Sequence, residues 1–111
     1  VLQLSIDISE SPEYHFELGK KLFPLREQGI LILGSGNIVH NLRLINWKND
    51  QTYPWAQEFD EAVKHHLQEK NYQPLMSNLL QTEAGQLSVP TPDHYYPLLY
   101  VLGASEHQEE L

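Results

Sequence analysis

Residues 30–37 read Ile-Leu-Ile-Leu-Gly-Ser-Gly-Asn, an unbroken apolar run that ends in a glycine-rich turn. Four consecutive aliphatic residues are typical of a strand buried on both faces of a parallel sheet. Residues 1–6, Val-Leu-Gln-Leu-Ser-Ile, predict a second strand, and a segment with helical spacing lies between the two. Strand, helix and strand over about thirty residues predict a βαβ unit with a right-handed crossover. We therefore expect an α/β fold, a mainly parallel sheet with flanking helices.

Two longer helices are predicted from capping residues and apolar spacing. The first starts at Ser11-Pro12, an N-cap followed by proline, and closes at Gly29. Its apolar residues follow at helical spacing: Tyr14, Leu18, Leu22 and Leu25. Pro24 should kink or shorten its last turn. The second helix starts at Pro54, with one apolar face formed by Trp55, Phe59, Ala62, Val63 and Leu67.

The remaining segments predict shorter elements. Residues 43–53 have mixed composition and predict a loop, whereas Leu75, Leu79 and Leu80 indicate a short third helix. Residues 88–92, Ser-Val-Pro-Thr-Pro, predict a rigid extended link. Residues 93–103 then predict a final, largely buried helix.

Composition limits the function classes. A chain of 111 residues has room for one small domain, residues 1–111, and its formal charge of −8 repels phosphate backbones, which argues against nucleic acid. The absence of cysteine excludes disulfides and thiolate sites. No apolar run has the length of a membrane span and no signal peptide is visible, so we expect a cytoplasmic protein. Because Val1 opens directly into a strand and residues 106–110 form an acidic end, we expect a piece of a longer chain.

The glycine-rich turn at residues 34–37 leaves two interpretations open. Glycines after a buried strand let backbone N–H groups approach a phosphate. The residues match neither the dinucleotide-binding fingerprint nor the P-loop, and the frame around Ser35 lacks the outer glycines of a nucleophile elbow. A tight strand-to-helix turn explains them equally well.

Two histidines are the strongest candidate site residues. His40 follows the carboxyl end of the predicted strand, where open α/β sheets bind ligands, although a lone histidine is more often structural. His94 follows two prolines that stiffen its approach, and Asp93 could orient its imidazole. Alternatively, Asp93 caps the last helix and His94 is a partly buried polar residue.

Other polar and aromatic residues carry weaker signals. His66 and Glu69 have i, i+3 spacing beside His65, but an acidic surface helix explains them better. His15 and His107 carry little signal. The tyrosines of the last helix are better explained as core or pocket wall than as chemistry: Tyr95, Tyr96 and Tyr100.

Four blocks of sequence together resemble one enzyme family. They are residues 1–7 (Val-Leu-Gln-Leu-Ser-Ile-Asp), 35–42 (Ser-Gly-Asn-Ile-Val-His-Asn-Leu), 53–56 (Tyr-Pro-Trp-Ala) and 90–100 (Pro-Thr-Pro-Asp-His-Tyr-Tyr-Pro-Leu-Leu-Tyr). In this order they resemble the second half of the DOPA 4,5-extradiol dioxygenases, a branch of the class III, LigB-type ring-cleaving enzymes. Four blocks in register are far more specific than any single motif.

The resemblance implies a non-haem metal enzyme that opens catechol-type rings with O₂. It implies Fe(II), or zinc in some members, with His40 as a metal ligand. It implies for His94 a place beside the metal, as a ligand or as an acid/base catalytic group. The family's other two metal histidines belong to N-terminal Gly-His-Gly-Ser and Ser-Ala-His-Trp blocks, which this sequence lacks. The N-terminal half of a parent chain would therefore supply the remaining ligands, and we expect the piece alone to be inactive.

The residue types fit that chemistry and leave two competing functions. Imidazole suits both Fe(II) and zinc, and Asn41 could hold a ligand or loop in place or act as a structural cap. One competing function is a non-catalytic binding or interaction domain. The other is a zinc-dependent enzyme of different chemistry on the same scaffold.

Overall fold

A computed structural model describes residues 1–48 and 51–105, and helices form all the regular structure within these ranges. The acidic run at 106–110 lies outside them, as does His107. The helices are α1 (Pro12–Glu27), α2 (Pro54–Gln68), α3 (Gln73–Met76), α4 (Asn78–Gln81), α5 (Glu83–Ser88) and α6 (Tyr96–Gly103). A 3₁₀ turn, Leu42–Leu44, lies between α1 and α2. None of the described helices is both long and apolar enough to cross a membrane.

The predicted parallel sheet is not formed by the described residues. Residues 1–6 and 30–33 have no strand assignment, so the predicted βαβ unit is not shown by the described residues. A strand needs a neighbour that pairs with its N–H and C=O groups, and no other described segment forms a strand beside either run. The side chains confirm the lack of cover, because Leu2 is 100% exposed, Leu31 84% and Leu33 83%.

Local chemistry sets both ends of α1 where the sequence predicts them. The Ser11 hydroxyl accepts a hydrogen bond from the Tyr14 N–H at 3.3 Å, which caps the first turn. Gly29 has a φ of 78°, and the Ile30 N–H donates back to the Leu25 carbonyl at 3.1 Å. The helix includes Pro24 and continues to Glu27, so the proline does not end it early.

The packing of α1 against α6 depends on two glycines. A Cβ atom on Gly19 would overlap the Tyr100 carbonyl oxygen, and one on Gly103 would overlap the Phe16 carbonyl oxygen. The two backbones therefore come closer than any larger residue permits. The guanidinium of Arg26 also donates to the Ala104 carbonyl at 2.7 Å. Helices α1 and α6 therefore pack directly against each other.

A second group of helices surrounds the apolar face of α2. Phe59 and Val63 are fully buried, as predicted, and pack with Leu75 and Ala84 from the short helices. Tyr95, just before α6, belongs to the same core and donates its hydroxyl proton to the Leu75 carbonyl at 2.9 Å. Burial raises the pKa of the Tyr95 phenol well above its usual range. This residue anchors the turn that carries His94.

Two later predictions need correction in detail. The single short helix around Leu75 and Leu80 is two helical turns, α3 and α4, interrupted at Ser77, whose φ of −139° and ψ of −100° are not helical. The last helix starts at Tyr96, three residues later than predicted, and residues 93–95 form a turn. His94 therefore lies on a turn before the helix.

Candidate metal and substrate site

An open depression of about 810 Å³ collects the candidate site residues. Its wall comes from residues 35–37, residues 40–44 and residues 90, 91 and 94. Both His40 and His94 line it, although 54 positions separate them in the sequence. The structure therefore brings the two predicted site histidines together, and their chemical roles remain predictions.

The glycine-rich turn positions one wall of the depression against the other. A Cβ on Gly36 would overlap the His94 carbonyl oxygen, and the same oxygen accepts a hydrogen bond from the Asn37 N–H at 2.8 Å. A Cβ on Gly34 would lie 2.8 Å from the Pro97 carbonyl oxygen. These glycines therefore serve close backbone packing on the start of α6. No helix follows directly, so the strand-to-helix turn is also corrected.

The His40 imidazole lies between two backbone carbonyls. Its Nδ1 is 3.0 Å from the Asn37 oxygen and its Nε2 is 2.7 Å from the Thr91 oxygen. The His40 N–H also donates to the Ser88 carbonyl at 3.0 Å, which fixes the backbone. A neutral imidazole has one N–H, so it can satisfy only one of these carbonyls. The other ring nitrogen then has a lone pair that faces a carbonyl oxygen, and it could bind a metal only after that contact opens.

The turn before α6 leaves His94 half-exposed beside Asp93. The His94 Nε2 lies 3.4 Å from the Asp93 carboxylate, and the two side chains are 57% and 48% exposed. A hydrogen bond from the Thr91 side chain lowers the pKa of the Asp93 carboxyl below its ordinary value, and the neighbouring imidazoles act in the same direction. The N-cap position of α6 belongs to Tyr95, so Asp93 does not occupy it.

The spacing of the two rings suits a shared metal ion. Their centroids lie 5.1 Å apart with an interplanar angle of 62°. Two imidazoles that bind one ion through bonds of about 2.0–2.1 Å place their centroids roughly 5 Å apart. The described residues contain no group of three or more histidine or carboxylate side chains that could hold a metal. The ring spacing therefore matches that of two imidazoles on one ion, although both ring nitrogens of His40 lie against carbonyl oxygens in this structure.

Asn41 acts as a cap and as a support for the loop. Its side-chain oxygen accepts from the Arg43 N–H at 3.2 Å and caps the 3₁₀ turn, while its amide group donates to the Leu87 carbonyl at 2.8 Å. The cap and the support of the loop are thus observed, and a role in holding a metal ligand stays a prediction. The turn that follows His40 is tied to the end of α5.

His65 and His66 lie apart from the depression on α2. Their rings are 5.5 Å from each other, but neither side chain lines the wall that carries His40. The surface-helix interpretation fits them. Tyr95, Tyr96 and Tyr100 are all buried and line no part of the depression.

His15 carries little signal in the sequence, yet it is a buried polar residue in the structure. It is fully buried between α1 and α6, with its Nδ1 2.9 Å from the Tyr100 hydroxyl and its ring 4.2 Å from that of Tyr96. Burial, the largest effect, lowers the pKa of the imidazole below its ordinary value. A weak signal was available, because Gly19 lies one turn later and marks close helix packing.

The comparisons with known proteins connect this geometry to a family. Residues 1–111 match the family described as the catalytic LigB subunit of aromatic ring-opening dioxygenase. A protein of Escherichia coli K12 named 4,5-DOPA dioxygenase extradiol is 51% identical over 114 residues, which are 100% of this chain and 42% of that protein. Proteins of the same name are 32% identical in Beta vulgaris and 36% identical in Portulaca grandiflora. Those alignments cover 95% and 94% of this chain and 39% of each plant protein.

A solved structure has a similar fold over the matched region. The crystal structure of an uncharacterized Escherichia coli K12 protein superposes with a TM-score of 0.85 at 51% identity. The match covers 96% of this chain and 45% of that one. The chain thus spans about two fifths of the length of the curated relatives it matches.

The 111-residue chain by itself is expected to hold no tightly bound metal. His40 and His94 provide two imidazoles, and a site of two ligands binds Fe(II) or Zn²⁺ far more weakly than one of three or four. The measurement is elemental analysis after dialysis against a chelator. One metal ion retained per chain would contradict this expectation and would direct attention to His65 and His66.

Proposed function

This chain belongs to the family of catalytic LigB subunits of aromatic ring-opening dioxygenases, and we propose that it is the C-terminal part of an extradiol dioxygenase that opens catechol-type rings with O₂. The observation that carries the proposal is the approach of His40 and His94 at one open depression. The names of the relatives support a DOPA-like catechol as the substrate. Residues 1–111 would form part of a single catalytic domain.

In the proposed enzyme His40 binds the metal, Fe(II) or Zn(II). The Asn37 carbonyl accepts the N–H of the ring and fixes its orientation, as carbonyls commonly do behind metal-bound histidines. When bound, the metal would supply a Lewis acid that favours the ionised catechol. The contact between His40 and Thr91 opens to free the second ring nitrogen.

His94 moves a proton in the proposed reaction. Its imidazole lines the depression with its ring centroid 5.1 Å from that of His40, and a neutral imidazole can accept the proton of a catechol hydroxyl and later return it. The Asp93 carboxylate lies 3.4 Å from its Nε2 and orients the ring. The same position would also allow His94 to serve as a second metal ligand.

The proposed parent chain supplies what residues 1–111 lack. The N-terminal half brings the remaining metal ligands, and its strands pair with the exposed segments 1–6 and 30–33. The high exposure of Leu2 and Leu31 supports this pairing, because such side chains are normally buried in a sheet. In the full-length chain these strand pairs would form the mainly parallel sheet of an α/β fold.

Oxygen uptake by the full-length protein tests the proposal. With Fe(II) and DOPA we expect one O₂ consumed for each ring opened, and with Zn²⁺ in place of Fe(II) no uptake. The control is the 111-residue chain under the same conditions, which is expected to be inactive. A full-length protein that consumes no O₂ with DOPA, catechol or protocatechuate would exclude the proposal and leave a non-catalytic domain or a zinc enzyme of other chemistry.

A further inference from the structure

The wall of the depression carries one permanent charge, and it is positive. Among the described side chains that line it, Arg43 is the one that is charged at every physiological pH. Among the described residues of the wall there is no aspartate or glutamate, although acidic residues outnumber basic ones by 15 to 7 in the chain. A positive side chain in the wall of the candidate site favours the binding of an anionic ligand there.

The backbone of Arg43 is held in place, whereas its guanidinium has no acidic partner among residues 1–48 and 51–105. Its N–H donates to the Asn41 side chain at 3.2 Å, and Asn41 in turn is tied to the Leu87 carbonyl. The residue lies in the 3₁₀ turn Leu42–Leu44, three positions after His40 on the same wall. Its side chain is exposed and accessible to a ligand.

The neighbours of Arg43 suit the rest of an aromatic ligand. Leu42 and Leu44 flank it on the same turn, line the depression and are 76% and 38% exposed. Exposed leucines at a depression offer apolar surface to a ring, while a guanidinium binds a carboxylate through two parallel N–H···O bonds. We infer that Arg43 recognises a carboxylate group on an aromatic ligand that binds beside His40 and His94. The inference rests on the proposed function and names the residue that selects for an acidic substrate.

Ligand binding to the metal-free full-length protein tests this inference apart from catalysis. The probes are 3-phenylpropionate, which has a carboxylate and no catechol, and 3-phenylpropionamide, its neutral counterpart. Arg43→Gln is expected to weaken phenylpropionate binding roughly 10- to 100-fold, the size of a lost charge-assisted hydrogen bond, and to leave phenylpropionamide unchanged. Arg43→Lys should recover part of the loss, because it keeps the charge and loses the bidentate geometry.

The matched control removes a positive charge elsewhere. Lys64 is exposed on α2 outside the depression, so Lys64→Gln should leave both affinities unchanged. Equal weakening by the Lys64 and Arg43 variants, or an Arg43 variant that binds both probes as the wild type does, would overturn the inference.

The inference and the proposed function can also fail independently. If no catechol is oxidised but Arg43-dependent carboxylate binding persists, the proposed function fails and the inference stands. If ring opening occurs without such binding, the inference fails alone.

In the active enzyme the same residue should alter substrate preference. The kcat/KM for DOPA is expected to fall roughly 10- to 100-fold in Arg43→Gln, while kcat/KM for 4-methylcatechol, which has no carboxylate, stays unchanged. A general structural defect would lower both values together. Such a parallel loss would exclude a role for Arg43 in selecting the substrate.

Discussion

Replacing His94 by alanine in the full-length protein is expected to lower turnover by roughly 10²–10⁴-fold while most of the metal is retained. The reason is its position, half-exposed on the turn before α6 and beside the Asp93 carboxylate, where an imidazole can exchange protons with a bound ligand. His40→Ala is expected to lower metal content and activity together, because the proposed ligand ring lines the depression and is oriented by the Asn37 carbonyl.

Metal analysis beside oxygen-uptake kinetics separates the two roles. His65→Ala is the matched control, since His65 is an exposed histidine on α2 that lines no part of the depression. It should retain both metal and activity. A His94 variant that loses as much metal as the His40 variant would make His94 a ligand first. Unchanged activity in either variant would exclude that residue from the site.

Local signals in the sequence were sufficient for the longer helices. The cap at Ser11, the glycine at position 29 and the proline at position 54 act through bonds within a few residues of themselves, so their effect does not depend on the rest of the fold. The apolar face of α2 was likewise predictable, and Phe59 and Val63 are fully buried. These helices form from local sequence signals and are stabilised by packing one apolar face against the core.

Strand formation could not be predicted in the same way. The run at residues 30–33 has the composition of a central strand, but a strand exists only where another chain segment satisfies its backbone groups. Within the described residues no segment does so, and Leu33 is 83% exposed. The composition of the segment therefore indicates the surroundings that suit it, a sheet with strands on both sides, and does not indicate whether those strands are present.

The candidate site was predictable in part. His40 and His94 were named from sequence blocks, and the structure adds that one depression joins them. The function of the glycines at 34 and 36 depends on the approach of α6, which lies about sixty residues later and leaves no local trace. Arg43 was hidden for a similar reason, because a charged residue in a mixed loop is ordinary until its neighbours in space are known.

The contact between α1 and α6 yields a prediction in which helix propensity and packing have opposite signs. Gly19→Ala adds a single Cβ inside α1, and by propensity alone it should stabilise the helix by about 1 kcal/mol. That Cβ would overlap the Tyr100 carbonyl oxygen and lie 3.0 Å from the Tyr100 Cα, atoms of a backbone that cannot move without displacing α6. Overpacking of this kind costs about 1–3 kcal/mol, so we expect a net loss of stability.

Chemical denaturation of the 111-residue chain and of the Gly19→Ala variant measures that balance. Lys21→Ala, an exposed position on the same helix, is the control and should change the free energy of unfolding by less than about 0.5 kcal/mol. A Gly19 variant whose free energy of unfolding rises by about 1 kcal/mol would mean that helix propensity acts unopposed and that α1 and α6 do not approach so closely.

The same displacement of α6 should also alter the candidate site. Because α6 follows directly from the turn that carries His94, its movement should separate His94 from Asn37, whose N–H donates to the His94 carbonyl at 2.8 Å. The stability of the helix pair and the geometry of the site should therefore be lost together.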